Sequence, residues 1–502
     1  MTRLDRDSAL TWGAEETVDL LVVGLGVTGA GVALDAASRG LTVLAVDARD
    51  LAFGTSRWSS KLVHGGLRYL AKGQLGVAHE SAVERHVLMT STAPHLTRSL
   101  PMVLPLTSAV GRAQGALAMQ GFRAGDLLRR GARTPSSLLP RPRRLTAAET
   151  AARVPGVHPS VRGGLLSYDG QLEDDARLVV ALARTAVGYG ARVATRVRAS
   201  SVTGTGAVLS DTVSGTSLSV RARAVVNATG VWADRLVDGL SLRPSRGTHL
   251  VLRGTAVPAS VAVTAPVPGS VNRFVFTLPQ PDGLVYLGLT DEPVDGPVPD
   301  VPVPSEEEID FLLSTASTAF ERPLTRADVV GAYAGLRPLI SAQGGTADLS
   351  REHAVLTSPD GVVTVVGGKL TTYRKMASDA VDAVLAQGSL HAGPCRTRAL
   401  PLVGATGAPP ADAPARLVRR YGAEAGVVLE AARSTGLADD ELLAPVADGV
   451  PVTLAELLFG VTHEGALDVD DLLDRRTRVG LVAADRAAAE PAARRALSLA
   501  GR

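Results

Sequence analysis

Residues 18–29 read Val18-Asp19-Leu20-Leu21-Val22-Val23-Gly24-Leu25-Gly26-Val27-Thr28-Gly29, and Thr42-Val43-Leu44-Ala45-Val46-Asp47 follows after a helical stretch. Val18–Val23 is a short, mostly apolar run, which fits a buried parallel strand. The helix expected from about Gly29 to Ser38 closes at Arg39-Gly40, a basic last turn and a helix-stopping glycine. The second apolar run ends at Asp47, so the chain opens on a βαβ unit. Between strand and helix stands G-x-G-x-x-G. Gly24 allows the tight turn, Gly26 lets backbone approach a pyrophosphate at the helix N-terminus, and Gly29 permits close helix–strand packing. Asp47 lies 18 residues after Gly29, at a strand end where a carboxylate accepts bonds from a ribose diol. The unit predicts dinucleotide binding. By itself it does not separate FAD from NAD.

The next block is Gly54-Thr55-Ser56-Arg57-Trp58-Ser59-Ser60-Lys61-Leu62-Val63-His64-Gly65-Gly66-Leu67-Arg68-Tyr69-Leu70. It gathers hydroxyls, a lysine, a histidine and two adjacent glycines just after the acid. Such a segment can run along a pyrophosphate and then turn toward a flavin ring, with Gly65 and Gly66 laying bare backbone against it. Thr55, Ser59, Ser60, Lys61, His64, Gly65 and Gly66 are therefore candidate cofactor ligands, and Arg68 is available to a substrate anion. Helix capping is the competing account of Ser59 and Ser60, and a structural role competes for His64.

Composition narrows the field. The chain has 502 residues, 45% hydrophobic and 20% charged, with a formal net charge of +2. At roughly 150 residues per domain, that length suggests about two to four domains. A single cysteine, Cys395, rules out an intrachain disulfide framework or a cysteine metal cluster. The histidines show no metal-ligand spacing, so no metal is expected. Near-neutral charge and 3% aromatic content give no case for nucleic acid as a partner. Met1–Leu10 lacks the apolar core of a signal peptide. The longest early apolar run is about 15 residues and carries four glycines, too short and broken to span a bilayer. The expectation is a cytoplasmic protein.

Further strand-like runs occur at Ala222–Ala228, Val285–Leu289 and Val362–Val366. Gly111–Arg144, rich in Arg, Leu and Ala, reads as helices in an inserted segment. Ser305-Glu306-Glu307-Glu308 reads as a capped helix start. Pro-, Gly- and Ala-rich residues 396–412 read as a linker, and 413–502 as a helical C-terminal domain. The preceding 16–395 form an α/β oxidoreductase domain. Its nucleotide part is expected near 16–95, 160–240 and 345–390, and its substrate cap near 96–159 and 241–344.

Residues Gly24 to Leu70 resemble the N-terminal region of the FAD-dependent glycerol-3-phosphate dehydrogenase family. Ser59 to Leu70 lies very close to that family's signature. Later blocks agree in the family's order: Glu173-Asp174-Asp175-Ala176-Arg177-Leu178, Asn227-Ala228-Thr229-Gly230-Val231-Trp232, Gly247-Thr248-His249, Gly288-Leu289-Thr290-Asp291, Gly335-Leu336-Arg337-Pro338-Leu339, Ser350-Arg351-Glu352, Gly367-Gly368-Lys369-Leu370-Thr371-Thr372-Tyr373-Arg374 and Leu472-Leu473-Asp474-Arg475-Arg476-Thr477-Arg478. The similarity spans roughly residues 18–480. Leu25 replaces a further glycine, Arg57-Trp58 a smaller pair, and Leu289 a threonine.

The resemblance implies an FAD-binding Rossmann-like core of the glutathione reductase/D-amino acid oxidase type, a β-sheet substrate cap and an all-helical C-terminal domain. It implies oxidation of sn-glycerol 3-phosphate to dihydroxyacetone phosphate by hydride transfer to flavin N5, with electrons passed to a membrane quinone. The alternative is an oxidase that uses oxygen and releases hydrogen peroxide. A flavin protein without turnover and an amine oxidase on the same fold are rival classes. The first would lack the substrate arginines, and the second would lack a phosphate pocket. Arg337 and Arg351 become the leading phosphate ligands, with Arg68, Tyr69 and Lys369 completing the pocket, since a guanidinium fork suits phosphate. Taken singly, each arginine also reads as a surface ion pair. His249 is the candidate proton acceptor and His64 its rival. Arg337 and Lys369 join His249 as the catalytic set. Thr229, Gly230, Gly368, Thr371 and Thr372 join the cofactor ligands. A quinone acceptor requires peripheral contact with a bilayer, on the cytoplasmic face. Arg123, Arg129, Arg130, Arg133, Arg141, Arg143 and Arg144 would face anionic lipid, or else form an ordinary solvated surface. A homodimer is compatible with all of this.

Overall fold

The computed structural model describes residues 2–66, 70, 73–270, 273–340 and 353–502. Strand Thr17–Val23 pairs in parallel with Val43–Val46 on one side and Ser217–Asn227 on the other. Helix Val27–Ser38 crosses between the first two strands. Every residue of that helix except Thr28 is buried. Its alanines and glycines are the reason it can be enclosed. At Gly31 an added Cβ would come within 3.0 Å of Tyr373, on helix Tyr373–Ala386. Leu20, Leu21 and Val22 are fully buried on the adjoining strand. Each such aliphatic side chain stabilises the fold by about 1.5–3 kcal/mol.

Among the described residues the strands form an eight-stranded sheet, a ten-stranded sheet and a small hairpin. The first sheet carries the βαβ unit and continues through the parallel strand Val363–Gly367. The second sheet holds Ser245–Arg253 between Leu284–Gly288 and Val329–Arg337, all antiparallel. The first of those neighbours matches the run read at Val285–Leu289. Helix Glu306–Ser317 starts in a capping box in which Ser305 accepts from the Glu308 N–H.

Three boundaries differ from the sequence reading. Gly164–Leu172 was placed with the nucleotide part, yet it pairs along its whole length with Thr97–Pro105 in the second sheet. The Arg-rich segment forms one 20-residue helix, Arg112–Gly131, and then a short strand, Arg143–Leu145. The stretch read as a linker is anchored. Leu400 and Leu402 are buried, and the Leu402 N–H donates to the Thr92 carbonyl at 2.8 Å. Composition announced a loop there, but not the two leucines that pin it.

The C-terminal part has its own apolar core around Leu417, Phe459 and Leu472, built on helices and the hairpin Pro445–Ala447/Val450–Thr453. Buried ion pairs join it to the first domain. Asp50 accepts from Arg475 Nε at 2.6 Å and from Arg476 Nη1 and Nη2 at 2.7 and 2.9 Å. Arg177 Nη1 donates to Glu464 at 2.9 Å, and Arg420 to Asp174 at 3.0 Å.

Candidate active site

A continuous cavity of about 1420 Å³ runs from the N-terminus of helix Val27–Ser38 to the second sheet. Pockets for drug-sized ligands usually occupy about 300–1,000 Å³. The larger volume suits an extended cofactor together with a small substrate.

At the nucleotide end, Gly24 has φ +100° and its added Cβ would lie 2.6 Å from the Ala228 carbonyl oxygen. A Cβ on Gly29 would lie 1.8 Å from the Gly24 oxygen. Only bare backbone lets the helix N-terminus approach the strand ends, which is the cradle a pyrophosphate requires. Gly24 and Gly26 line the cavity, whereas Gly29 acts behind it, in packing. Asp47 also lines it. Its Oδ2 accepts from the Leu25 N–H at 2.6 Å and its Oδ1 from the Arg49 N–H at 2.8 Å, and burial pushes its carboxyl up to about 6. Thr229 and Gly230 stand opposite in a loop tied by Asn227, whose Oδ1 accepts from the Thr229 hydroxyl at 2.7 Å.

The hydroxyl block divides into several roles. Thr55, Ser59, Ser60, His64, Gly65 and Gly66 all line the cavity. Thr55 donates to the Leu336 carbonyl at 2.6 Å, and Ser59 donates through both N–H and Oγ to Asp175 Oδ2 at 2.9 and 2.8 Å. Lys61 requires a correction. It does not line this cavity. Its ammonium lies 3.2 Å from Asp175 and donates to the carbonyls of Arg57 and Ser59. A buried cation needs a buried counter-charge, and Asp175 supplies it. Thr371 lines the cavity and accepts from the His64 N–H at 3.2 Å, while Thr372 turns away to donate to the Lys369 carbonyl at 3.2 Å. Gly368 has φ +69°, and a Cβ there would meet Met376 Sδ at 2.4 Å.

The second sheet supplies the other end. Register places Ser245 opposite Arg337, Gly247 opposite Gly335 and His249 opposite Tyr333. Alternation then sends Arg337 and His249 to the same face. The glycines of these motifs make room for the working side chains. A Cβ on Gly247 would fall 2.3 Å from Arg337 Nη2, and one on Gly288 would fall 2.2 Å from His249 Cδ2. Arg337 donates to Asp291 Oδ1 at 3.1 Å, Ser245 Oγ at 3.2 Å and the Thr290 carbonyl at 3.1 Å. His249 stacks on Tyr333 at 4.8 Å, and burial, helped by Lys61 and Arg337, holds its pKa well below the ordinary value. Lys369 Nζ donates to Ser81 Oγ at 2.5 Å. Arg337, His249 and Lys369 all line the cavity. Arg68, Tyr69 and Arg351 lie outside the described residues.

Four further residues were missed. Ser56 Oγ accepts from the Val27 N–H at 2.8 Å and so sits at the helix N-terminus itself. On helix Leu75–Val87, Ser81 meets Lys369, and Arg85 Nη1 donates to Asp169 Oδ1 at 2.6 Å, beside Gly65. Ser81 and Arg85 are one turn apart and both buried, a polar stripe on a helix face that only its partners explain. Of the basic residues weighed for lipid contact, Arg129 is buried against Asp126, which removes it from that face, whereas Arg130 and Arg143 stay exposed in pairs with Asp126 and Glu149. Among the described residues no helix is long and apolar enough to cross a membrane.

Comparison with known proteins agrees with this geometry. The family described as FAD dependent oxidoreductase matches residues 19–374, and the C-terminal domain of alpha-glycerophosphate oxidase matches residues 395–501. Glycerol-3-phosphate dehydrogenase 1 of Mycobacterium tuberculosis is 55% identical over 487 residues, covering 93% of this chain and 92% of that protein. The mitochondrial glycerol-3-phosphate dehydrogenase of Mus musculus is 33% identical over 525 residues, covering 96% and 70%. The X-ray structure of the glycerol-3-phosphate dehydrogenase from Bacillus halodurans complexed with FAD superposes with a TM-score of 0.76 at 29% identity, covering 98% of this chain and 92% of that one. A nucleotide cradle opening onto an arginine-bearing sheet, in a chain that these relatives match over more than nine-tenths of its length, means that the chain belongs to the FAD-dependent glycerol-3-phosphate dehydrogenase family of oxidoreductases, with FAD as its cofactor.

Proposed function

We propose that this enzyme oxidises sn-glycerol 3-phosphate to dihydroxyacetone phosphate and passes the electrons to a membrane quinone. The observation that carries the first half is the placing of Arg337 and His249 on one face of the second sheet, in the cavity that begins at the nucleotide cradle. Gly24, Gly26, Asp47, Gly65, Gly66, Thr229, Gly230 and Gly368 would hold FAD, which when bound supplies a two-electron hydride acceptor. Arg337 would bind the phosphate through its planar fork. Lys369 would hold substrate oxygens or offset developing negative charge. His249, neutral at working pH, would receive the hydroxyl proton. The family pattern adds Arg68, Tyr69 and Arg351 to the phosphate pocket.

Support for an apolar acceptor comes from the cap. Leu104, Leu117, Phe122, Phe274 and Phe276 line the cavity, more apolar surface than a small polyol phosphate uses. Helix Arg112–Gly131 also presents Leu117 and Leu127, 58% and 64% exposed, beside exposed Arg123 and Arg130. Exposed leucines among arginines suit a surface that rests on anionic lipid. The test is steady-state turnover of the holoenzyme with a soluble quinone analogue against turnover in oxygen. Fast turnover with quinone and slow turnover with oxygen supports the reading. Fast oxygen consumption with stoichiometric peroxide makes the enzyme an oxidase instead.

A further inference from the structure

Ser59 and Ser60 are neighbours whose hydroxyls go different ways. Ser59 is spent on Asp175, as described above. Ser60 Oγ lies 2.8 Å from His249 Nε2, and both side chains are buried, 8% and 1% exposed. Each imidazole nitrogen offers one in-plane position, either a proton or a lone pair. At Nε2 that position is occupied by Ser60. At the other nitrogen, Nδ1, the ring is shielded from solvent and has no hydrogen-bond partner among the described residues.

The ring cannot easily swing to present another edge. It stacks on Tyr333 with an interplanar angle of 12°, and Gly288 packs against its Cδ2 so closely that a Cβ there would sit at 2.2 Å. Tyr333 is itself fixed, since its hydroxyl donates to the Ser59 carbonyl at 2.9 Å. Ser60 and His249 both line the cavity, and because Ser60 occupies Nε2, a substrate hydroxyl reaches that nitrogen across the Ser60 oxygen.

We propose that Ser60 relays the substrate proton to His249. The Ser60 oxygen takes the proton from the secondary hydroxyl of the substrate as its own proton passes to His249 Nε2. The C–H electron pair of the same carbon leaves as hydride to oxidised FAD, and the C–O bond becomes a carbonyl. The imidazole gains one proton and the serine is regenerated, so atoms and charge balance. Burial above all, then Lys61 and Arg337, disfavours the imidazolium while Asp175 favours it, so the resting ring is neutral and carries a lone pair for the incoming proton. The relay also requires the proton of that neutral ring to sit on Nδ1. This assignment rests on the substrate reading above.

The test uses holoenzyme, anaerobic stopped-flow reduction by glycerol 3-phosphate, and 15N shifts of labelled histidine. Ser60→Ala is expected to slow flavin reduction about 100-fold or more, the usual range for losing a proton-transfer group. Flavin content and substrate Kd should stay near wild type. Ser60→Thr, which keeps a hydroxyl, should stay within about tenfold. His249→Gln should be as slow as Ser60→Ala, and the double variant no slower than either, as for groups that act as one unit. The 15N shifts should place the wild-type proton on Nδ1 of His249. Wild-type reduction rates in Ser60→Ala, multiplying effects in the double variant, or a proton on Nε2 would each overturn the relay alone. A wild-type flavin that glycerol 3-phosphate leaves oxidised overturns the substrate reading and the relay with it.

Discussion

Arg337 is oriented before any phosphate arrives. Asp291, Ser245 and the Thr290 carbonyl together fix the plane of its guanidinium. A fork already in place loses little freedom on binding a dianion. Arg337→Lys keeps the charge and loses the fork. A charge-assisted hydrogen bond is worth about 1.5–3 kcal/mol, so KM for glycerol 3-phosphate should rise roughly 10- to 150-fold while flavin content holds. A KM within twofold of wild type would remove Arg337 from the phosphate site. Gly29 tests the other end. Its Cβ would stand 1.8 Å from the Gly24 carbonyl oxygen, so Gly29→Ala must push the helix off the strand. That variant should purify colourless or bind FAD at least tenfold more weakly. The glycines of G-x-G-x-x-G were legible because their spacing states a backbone need. Ser81 and Arg85 were not, because a buried serine and arginine on a helix have no meaning until Lys369 and Asp169 are opposite them.

Helix Arg112–Gly131 was legible as a helix from its Arg, Leu and Ala content, but its faces were not. Gly115 and Met119 are buried, Leu117 and Leu127 are exposed, and Arg129 is turned inward to Asp126. If its outer face rests on lipid, Leu127→Glu combined with Arg123→Glu should weaken co-sedimentation with anionic vesicles by tenfold or more. Each basic residue near such a surface is worth about 1 kcal/mol. Flavin reduction by substrate should be unchanged, since neither side chain lines the cavity. Equal vesicle binding by the double variant would rule this face out. Lys61 teaches the opposite lesson about sequence. It sits inside the most family-specific stretch of the chain, yet serves the buried Asp175 and not the cofactor cavity. A motif says that a residue is required, and only packing says for what.

At the scale of the whole molecule, the C-terminal part is fastened by charge. The motif Leu472–Arg478 places Arg475 and Arg476 on Asp50, three residues after the candidate ribose acid Asp47. Burial opposes the ionised Asp50, but the two guanidiniums prevail and hold its carboxyl well below the ordinary carboxylate value. Removing one partner of a buried pair costs about 3–5 kcal/mol, so Asp50→Asn should lower the thermal midpoint by several degrees. The pH dependence has a definite sign. A depressed folded pKa gives stability that is complete above the unfolded value of about 4 and lost as pH falls through the folded one. Wild type should therefore lose midpoint below about pH 4 by a margin that Asp50→Asn lacks. A variant as stable as wild type, with the same acid limb, would show that the clamp contributes nothing. The domain's helical character was visible from periodicity. Its attachment was not, because partners more than 400 residues apart leave no local trace.

The most direct test of the central claim is an anaerobic titration of the purified yellow protein with sn-glycerol 3-phosphate, read by flavin absorbance. The cavity predicts bleaching of the visible band by the substrate, and a much weaker response to glycerol, which lacks the phosphate for Arg337. An absorbance that stays unchanged at saturating glycerol 3-phosphate, or that bleaches equally with glycerol, would contradict the account.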